Sequence, residues 1–438
     1  MELKQFKCFP IKQQKNAYIQ AKSGIYMQKS SLNHEYLKMN KNISSLYSIA
    51  AKPKRTIIGL MSGTSVDGLD VALCVFSGTG MDTSIELKRF ETVPYDEDYK
   101  AEISSVFSKK MVDLQKLCLL NSWVAIQHAK IILHCLDKWN VHPNEIDIVA
   151  SHGQTIFHAP KSLHGNNKFG NATLQIGDGD HLACKTGIIT ISDFRQKHIA
   201  AGGEGAPLAA YGDFLIFSKK DENRIMLNIG GIANFTFLSG NLNADEVFCT
   251  DTGTGNTLMD AFIQKNYPGK YFDENAELAS KGIVNEKLLA ALKDHPFFEQ
   301  AFPKTTGPEL FNLNYLQQAQ QRSETENLST EDVLATLNRF SADTIINAIQ
   351  KCIKGKSNFS FYVSGGGMHN PLLMKNITNQ LAGSVFKSTK ELNINPDAKE
   401  AILFAVLANE ALCGSAVNFG EGRNGIPNVS MGKISFPD

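Results

Sequence analysis

Asp251 stands in "TDTGTGN" (residues 250–256), one carboxylate between two threonines directly after the apolar run Val247-Phe248-Cys249. A carboxylate delivered by the end of a strand, with glycines at 253 and 255 letting the chain bend around a ligand, could deprotonate a hydroxyl or a water. Two other uses stay open at that position, a metal ligand and the cap of the following helix. The apolar spacing of Leu258, Met259, Phe262 and Ile263 predicts a helix from about Thr257, and Asn256 fits its cap better than Asp251.

Other stretches concentrate polar or backbone chemistry. "GLMSGTSVDGLD" (59–70) places small residues and hydroxyls on a hairpin turn, where backbone N–H groups can converge on phosphate oxygens; a plain tight hairpin is the equal alternative. It is not a Walker loop, since no G-x-x-x-x-G-K-[ST] is present. Asp67 and Asp70 could orient Mg²⁺ through water or merely cap turns. "VSGGGMHN" (363–370) leaves three consecutive positions without Cβ at a strand-to-helix turn, where backbone can approach a base or ribose. "SHGQT" (151–155) gathers donors and acceptors just past a buried strand, with His152 either a general acid or a structural hydrogen-bonding residue. In "DFRQKHIAAGGEGAPL" (193–208), Arg195 suits a carboxylate or sugar oxygen, or a salt bridge to Asp193. Zinc on His152, His158 and His181 lacks an H-E-x-x-H or a cysteine pair to support it, and no G-x-S-x-G elbow suggests a serine hydrolase.

The elements that must position these groups alternate strand and helix, which marks an α/β fold. "RTIIGLMSGTSVDGLDVALCVF" and "NRIMLNIGGIANFTFL" each read as strand, glycine-bearing turn and returning strand, and this repetition predicts two related lobes with a cleft between them. Residues 97–140 read as helical, as do "TLMDAFIQKN", "NEKLLAALKDH", "EDVLATLNRFSADTIINAIQKCI" and the apolar "AKEAILFAVLANEAL". The 438 residues suffice for two cores, and zero formal net charge gives no reason to expect nucleic acid or an anionic membrane as partner. Eight scattered cysteines without a C-x-x-C pair read as reduced thiols of a cytoplasmic protein. Residues 1–54 form a basic, acid-poor leader, of which 1–38 read as disordered or as preceding the true start.

Taken in order, "GLMSGTSVDGLDVAL", "SHGQTIFH", "LQIGD", "TGIITISDFR", "AAGGEGAPL", "LNIGGIANFTFL", "DTGTGNTLMDAF", "KTTGPELFN" and "SGGGMHNPLLM" closely resemble the anhydro-N-acetylmuramic acid kinases, a branch of the sugar kinase/Hsp70/actin superfamily. The resemblance runs from about Arg55 to the C-terminal helix. It implies two actin-like (ribonuclease H-like) lobes, residues 55–222 and 223–438, with ATP and Mg²⁺ in the cleft between them, and a homodimer. It implies a reaction in which water opens 1,6-anhydro-N-acetylmuramic acid while ATP phosphorylates O6. The family's catalytic aspartate falls on Asp251, and its phosphate turn on Gly63, Thr64, Ser65, Val66, Asp67, Gly68, Leu69 and Asp70. Its adenosine-side turn falls on Gly365, Gly366 and Gly367, and its sugar contacts on Gln154, Thr155, Arg195 and Glu400. The pattern departs at His198, where many members carry an acid, and in "DTGTGN" itself. A kinase for an ordinary sugar hydroxyl and a non-enzymatic actin- or Hsp70-like ATPase are the competing readings, and the polar residues of 151–208 speak against the second.

Overall fold

A computed structural model describes residues 39–381, 384–414 and 426–438. The expectation for residues 1–38 lies outside the described residues. The rest of the expected leader is ordered: Lys41–Ala50 is a helix whose Ile49 joins the core.

The first lobe is built on β1 (Lys54–Ser62), β2 (Gly68–Ser77), β3 (Ser84–Pro94), β4 (Ile148–Ala159), β5 (Ala172–Ile176) and β6 (Thr190–Ser192). The second carries β7 (Asn223–Ile229), β8 (Ile232–Leu238), β9 (Phe248–Thr254), β10 (Phe359–Ser364) and β11 (Phe386–Ser388), and a last strand, β12, spans Lys433–Ser435. Strand order is β12-β6-β4-β1-β2-β3, with β5 on β4, in one sheet and β11-β10-β7-β8-β9 in the other. In each, an antiparallel meander (β1-β2-β3, β7-β8-β9) has two further strands added in parallel beside its first member (β4 and β6, β10 and β11). The repeated strand–turn–strand units are therefore the opening hairpins of two lobes of the same topology, as expected for an actin-like α/β fold.

Both faces of the first sheet's central strands are covered, so β1, β2 and the first half of β4 are buried nearly throughout rather than at alternate positions, whereas the edge strand β3 is charged and largely exposed. Ile57, Ala72, Cys74 and Phe76 face the helices Ala209–Phe217 and Lys399–Cys413, whereas Ile58, Leu60, Val71 and Leu73 face the helix Leu114–Lys138. Met226, Cys249 and Tyr362 of the second sheet join the first of these clusters, which makes the two helices a shared layer between the sheets. The opposite face of the second sheet packs Leu227, Phe235 and Val363 against the helix Thr330–Ile353.

Three expectations are corrected. Residues 97–140 are not one helical stretch but Glu97–Ser104 and Leu114–Lys138, the latter started by Asp113, whose side chain accepts from Gln115 N and Lys116 N. The chain after residue 223 does not stay in the second lobe, because Lys399–Cys413 lies on β1 and β12 pairs with β6. Gly59 makes the first contact possible: a Cβ there would stand 2.0 Å from Ala401 O. Finally, Asp251 and "SHGQT" lie within β9 and β4, not beyond their ends. Among the described residues no helix is long and apolar enough to cross a membrane.

Candidate active site in the interlobe cleft

A cleft of about 430 Å³ is lined from both lobes, by Asp70, Arg195 and Asp213 on one side and Asn228, Asn234, Asp251 and Gly365 on the other, with Lys399 and Glu400 at the start of the shared helix. Five positions singled out in the sequence therefore meet here: Asp70, Arg195, Asp251, Gly365 and Glu400.

Asp251 sits opposite Asn234 at a register shift between β8 and β9. Its backbone N–H donates to Lys304 O at 2.9 Å, and its Oδ2 accepts from Thr306 N at 2.8 Å. Among the described residues Oδ1 has no protein donor. Burial pushes the carboxyl up to about 7; the Thr306 N–H lowers it, Glu309 raises it and Lys304 lowers it. An acid with a proton affinity near neutrality can take a proton in a reaction and release it again. The cap reading is excluded by this geometry, since the helix Thr257–Asn266 begins at Asn256 and Asp251 is bound elsewhere.

Arg195 does not pair with Asp193, which instead meets Lys433 at 2.5 Å. Arg195 Nε donates to His152 Nε2 at 3.0 Å and one terminal nitrogen donates to Gly205 O at 2.8 Å. His152, 3% exposed, is thereby an acceptor, and burial together with the Arg195 charge holds its pKa well below the usual range. A buried neutral imidazole already engaged in this way orients the guanidinium and is no general acid. His198 has a comparable structural part, its Nδ1 accepting from Gly205 N at 2.9 Å while burial and Arg195 push its pKa down to about 4. Glu400 lines the cleft with its side chain open to solvent there. Desolvation by the cleft walls raises its pKa, with Lys399 and Arg195 pulling the other way and Asp213 adding to the rise.

Gln154 and Thr155 are not cleft residues. Gln154, 0% exposed, accepts from Ser62 Oγ at 2.5 Å and donates to Gly63 O at 3.2 Å, which braces the hairpin turn from behind. Thr155 Oγ1 accepts from Gln175 Nε2 at 3.2 Å. In the turn itself Thr64, Ser65 and Asp67 are exposed, Gly68 and Leu69 are buried in β2, and Val66 adopts φ 55°, a left-handed conformation rare for a β-branched residue. The glycine turn is equally constrained. Gly365 has φ 85°, and a Cβ there would lie 2.6 Å from Asn228 Oδ1 and 2.7 Å from Ile229 O; Gly366 and Gly367 follow in a 3₁₀ turn.

Sequence reasoning passed over Asp213, Lys399, Asn228 and Asn234. Asp213 is 3% exposed, pairs with Lys399 at 2.9 Å and accepts from Thr236 Oγ1 at 2.7 Å. The signal was its solitary charge in the apolar helix "AAYGDFLIF". Both asparagines lie in "LNIGGIANFTFL", on the strands of the second hairpin.

Among the described residues no group of three or more His, Cys, Asp or Glu side chains forms a metal site by itself. Asp70 nevertheless fits a divalent cation that keeps most of its water. Burial pushes its carboxyl up to about 6 against a 2.5 Å hydrogen bond from Thr92, and Glu400, Asp67 and Asp397 add to the rise. Uncompensated carboxylates beside a cleft suit Mg²⁺, which takes one or two carboxylates and completes its shell with water and phosphate oxygens.

The profile of the anhydro-N-acetylmuramic acid kinase family matches residues 55–436. An anhydro-N-acetylmuramic acid kinase from Pseudoalteromonas atlantica is 58% identical over 401 residues, covering 91% of this chain and 100% of the relative. Those from Pseudoalteromonas translucida and Caldanaerobacter subterraneus are 54% and 36% identical, covering 91% and 89% of this chain and 100% and 99% of the relatives. With the match spanning both lobes and every strand of the cleft, the chain belongs to the anhydro-N-acetylmuramic acid kinase family.

Proposed function

We infer that the protein uses ATP and water to convert 1,6-anhydro-N-acetylmuramic acid into N-acetylmuramic acid 6-phosphate and ADP, a step of cell-wall recycling and amino-sugar catabolism. The observation that carries the reading is Asp251: a carboxyl poised near neutrality, held by one oxygen and facing the cleft between the lobes.

Asp251 takes a proton from a water as that water bonds to C1 of the sugar. The C1–O6 bond breaks with its electron pair on O6, which bonds the γ-phosphorus as the bond to the ADP oxygen breaks. Expulsion of O6 as a free alkoxide is thus avoided. Thr306 N fixes one carboxylate oxygen so that the other addresses the water. Arg195, oriented by His152 and Gly205, has guanidinium N–H groups left for the sugar's carboxylate, and Glu400 faces its hydroxyl and amide donors. Gln154 and Thr155 act indirectly, Gln154 by bracing the hairpin. Backbone N–H groups of residues 63–70 address the phosphates, and the turn of Gly365, Gly366 and Gly367 the adenosine. Asp70, Asp67 and Asp397 are the carboxylates that would hold Mg²⁺ through water, and the cation would supply charge neutralisation at the phosphoryl oxygens. A homodimer goes with this reading; exposed Met111, Leu114 and Leu119 supply apolar surface for it, and a solution mass of one chain would contradict it.

The test is ADP release with 1,6-anhydro-N-acetylmuramic acid, N-acetylmuramic acid and glucose in parallel. Turnover of the anhydro sugar alone is expected. Turnover confined to the unmodified sugars would establish the ordinary-hydroxyl kinase instead.

A further inference from the structure

The motif "KTTGPELFN" supplies Asp251 with both the Lys304 carbonyl and the Thr306 N–H, and its first residue is a buried lysine. Lys304 is 8% exposed and makes no ion pair among the described residues. Its Nζ donates to Phe297 O at 2.9 Å and Phe298 O at 3.4 Å, and lies 4.3, 5.7 and 5.9 Å from the ring centres of Phe297, Phe298 and Phe302. Two carbonyls and three aromatic faces recover part of the cost of burying an ammonium, but an apolar side chain of the same length would avoid that cost altogether. The backbone on either side shows what the arrangement serves. Residues 304–306 strap across the edge strand β9: Lys304 N donates to Thr250 Oγ1 at 3.1 Å, Lys304 O accepts from Asp251 N at 2.9 Å, and Thr306 N donates to Asp251 Oδ2 at 2.8 Å.

We propose that Lys304 is a positioning residue for Asp251: its caged ammonium pins the strap whose backbone holds the carboxylate at the cleft, and its charge favours the ionised base. The proposal rests on Asp251 being that base. The charges facing the carboxyl are Glu309, which opposes ionisation, and Lys304, which favours it. Across the cleft stand Arg195, Glu400, Asp70, Asp397 and the Asp213–Lys399 pair. Around Lys304 lie Lys351, whose repulsion adds to burial in lowering the lysine's pKa to about 8, and Glu299 and Asp251, which oppose that fall. Lys293, bound to Asp343 at 2.8 Å, borders the same side of the lobe.

The experiment compares Lys304→Met, Lys304→Arg and Phe297→Leu with the unaltered protein in kcat/KM for the anhydro sugar across pH, with ADP affinity measured alongside. Lys304→Met should move the acid-side midpoint upward by roughly half to one pH unit and lower the rate at pH 7 by about three- to tenfold, with ADP affinity retained. Lys304→Arg keeps the charge and should keep the midpoint. Phe297→Leu loosens the cage and should shift it upward by less, which leaves a readout should the methionine variant fail to fold. A loss of rate in Lys304→Met or Phe297→Leu with an unmoved midpoint would show a merely structural lysine and overturn the proposal. Asp251→Asn run in parallel separates the two readings. An active Asp251→Asn removes the base itself, whereas an inactive one beside an unmoved Lys304→Met midpoint removes only the lysine's part.

Discussion

Lowering the pH from 8 to 6 should slow the reaction in a calculable way. With the Asp251 carboxyl at about 7, roughly nine-tenths of the free protein carries the ionised base at pH 8 and about one-tenth at pH 6, so kcat/KM for the sugar should fall about tenfold. The assay is initial-rate ADP release with Mg²⁺–ATP and sugar both well below KM, which reports the free protein's base. Stability should move the opposite way. A carboxyl whose pKa is raised on folding binds its proton more tightly in the native state, so its contribution favours the native chain at acid pH and is lost as pH rises through about 7. Asp251→Asn, which removes that penalty, should therefore unfold at a higher temperature than the unaltered protein above pH 7, with the gap closing toward pH 4. A flat rate profile from pH 6 to 8, or a rate that rises toward acid, would refute the reasoning, because neither is compatible with an obligatory ionised Asp251.

Other consequences follow from particular contacts. Gly365→Ala must place a Cβ 2.6 Å from Asn228 Oδ1 at φ 85°, for which roughly 2–4 kcal/mol of lost stability is expected in thermal or urea unfolding, with ADP affinity falling too. Lys399→Met leaves Asp213 buried without its 2.9 Å partner, and about 3–5 kcal/mol of destabilisation is expected in urea. Arg195→Lys cannot reproduce both the His152 and the Gly205 bonds, so sugar KM should rise about ten- to hundredfold in steady-state kinetics while KM for ATP holds.

Much of the scaffold was legible because local signals and global topology agree. The hairpins β1–β2 and β7–β8 announce themselves as apolar runs broken by small turn residues, and their repetition implies the two lobes. The destination of "AKEAILFAVLANEAL" was not legible. A helix that is apolar on every side declares that it is buried but not between which sheets, and here it leaves the second half of the chain to pack on β1. At the site, Asp251 was visible from its glycine context, but its partner Thr306 lies 55 residues away and only folding joins them. Gln154 shows the converse error: a donor-rich motif does not reveal which bonds are spent inward, and its amide serves Ser62 and Gly63. Asp193 and Arg195 are two residues apart in sequence, yet Lys433 and His152 are their partners, since Asp193 sits in a left-handed conformation at the start of the helix Phe194–Ala200 and positions i and i+2 of a helical turn do not face each other.

The central claim is that the Asp251 carboxylate activates the water that opens the anhydro bridge. Its most direct test is single-turnover product formation by Asp251→Asn on 1,6-anhydro-N-acetylmuramic acid, with calorimetric ADP binding on the same sample. The account predicts no detectable N-acetylmuramic acid 6-phosphate with ADP affinity unchanged. Product formed at the unaltered protein's rate would contradict it.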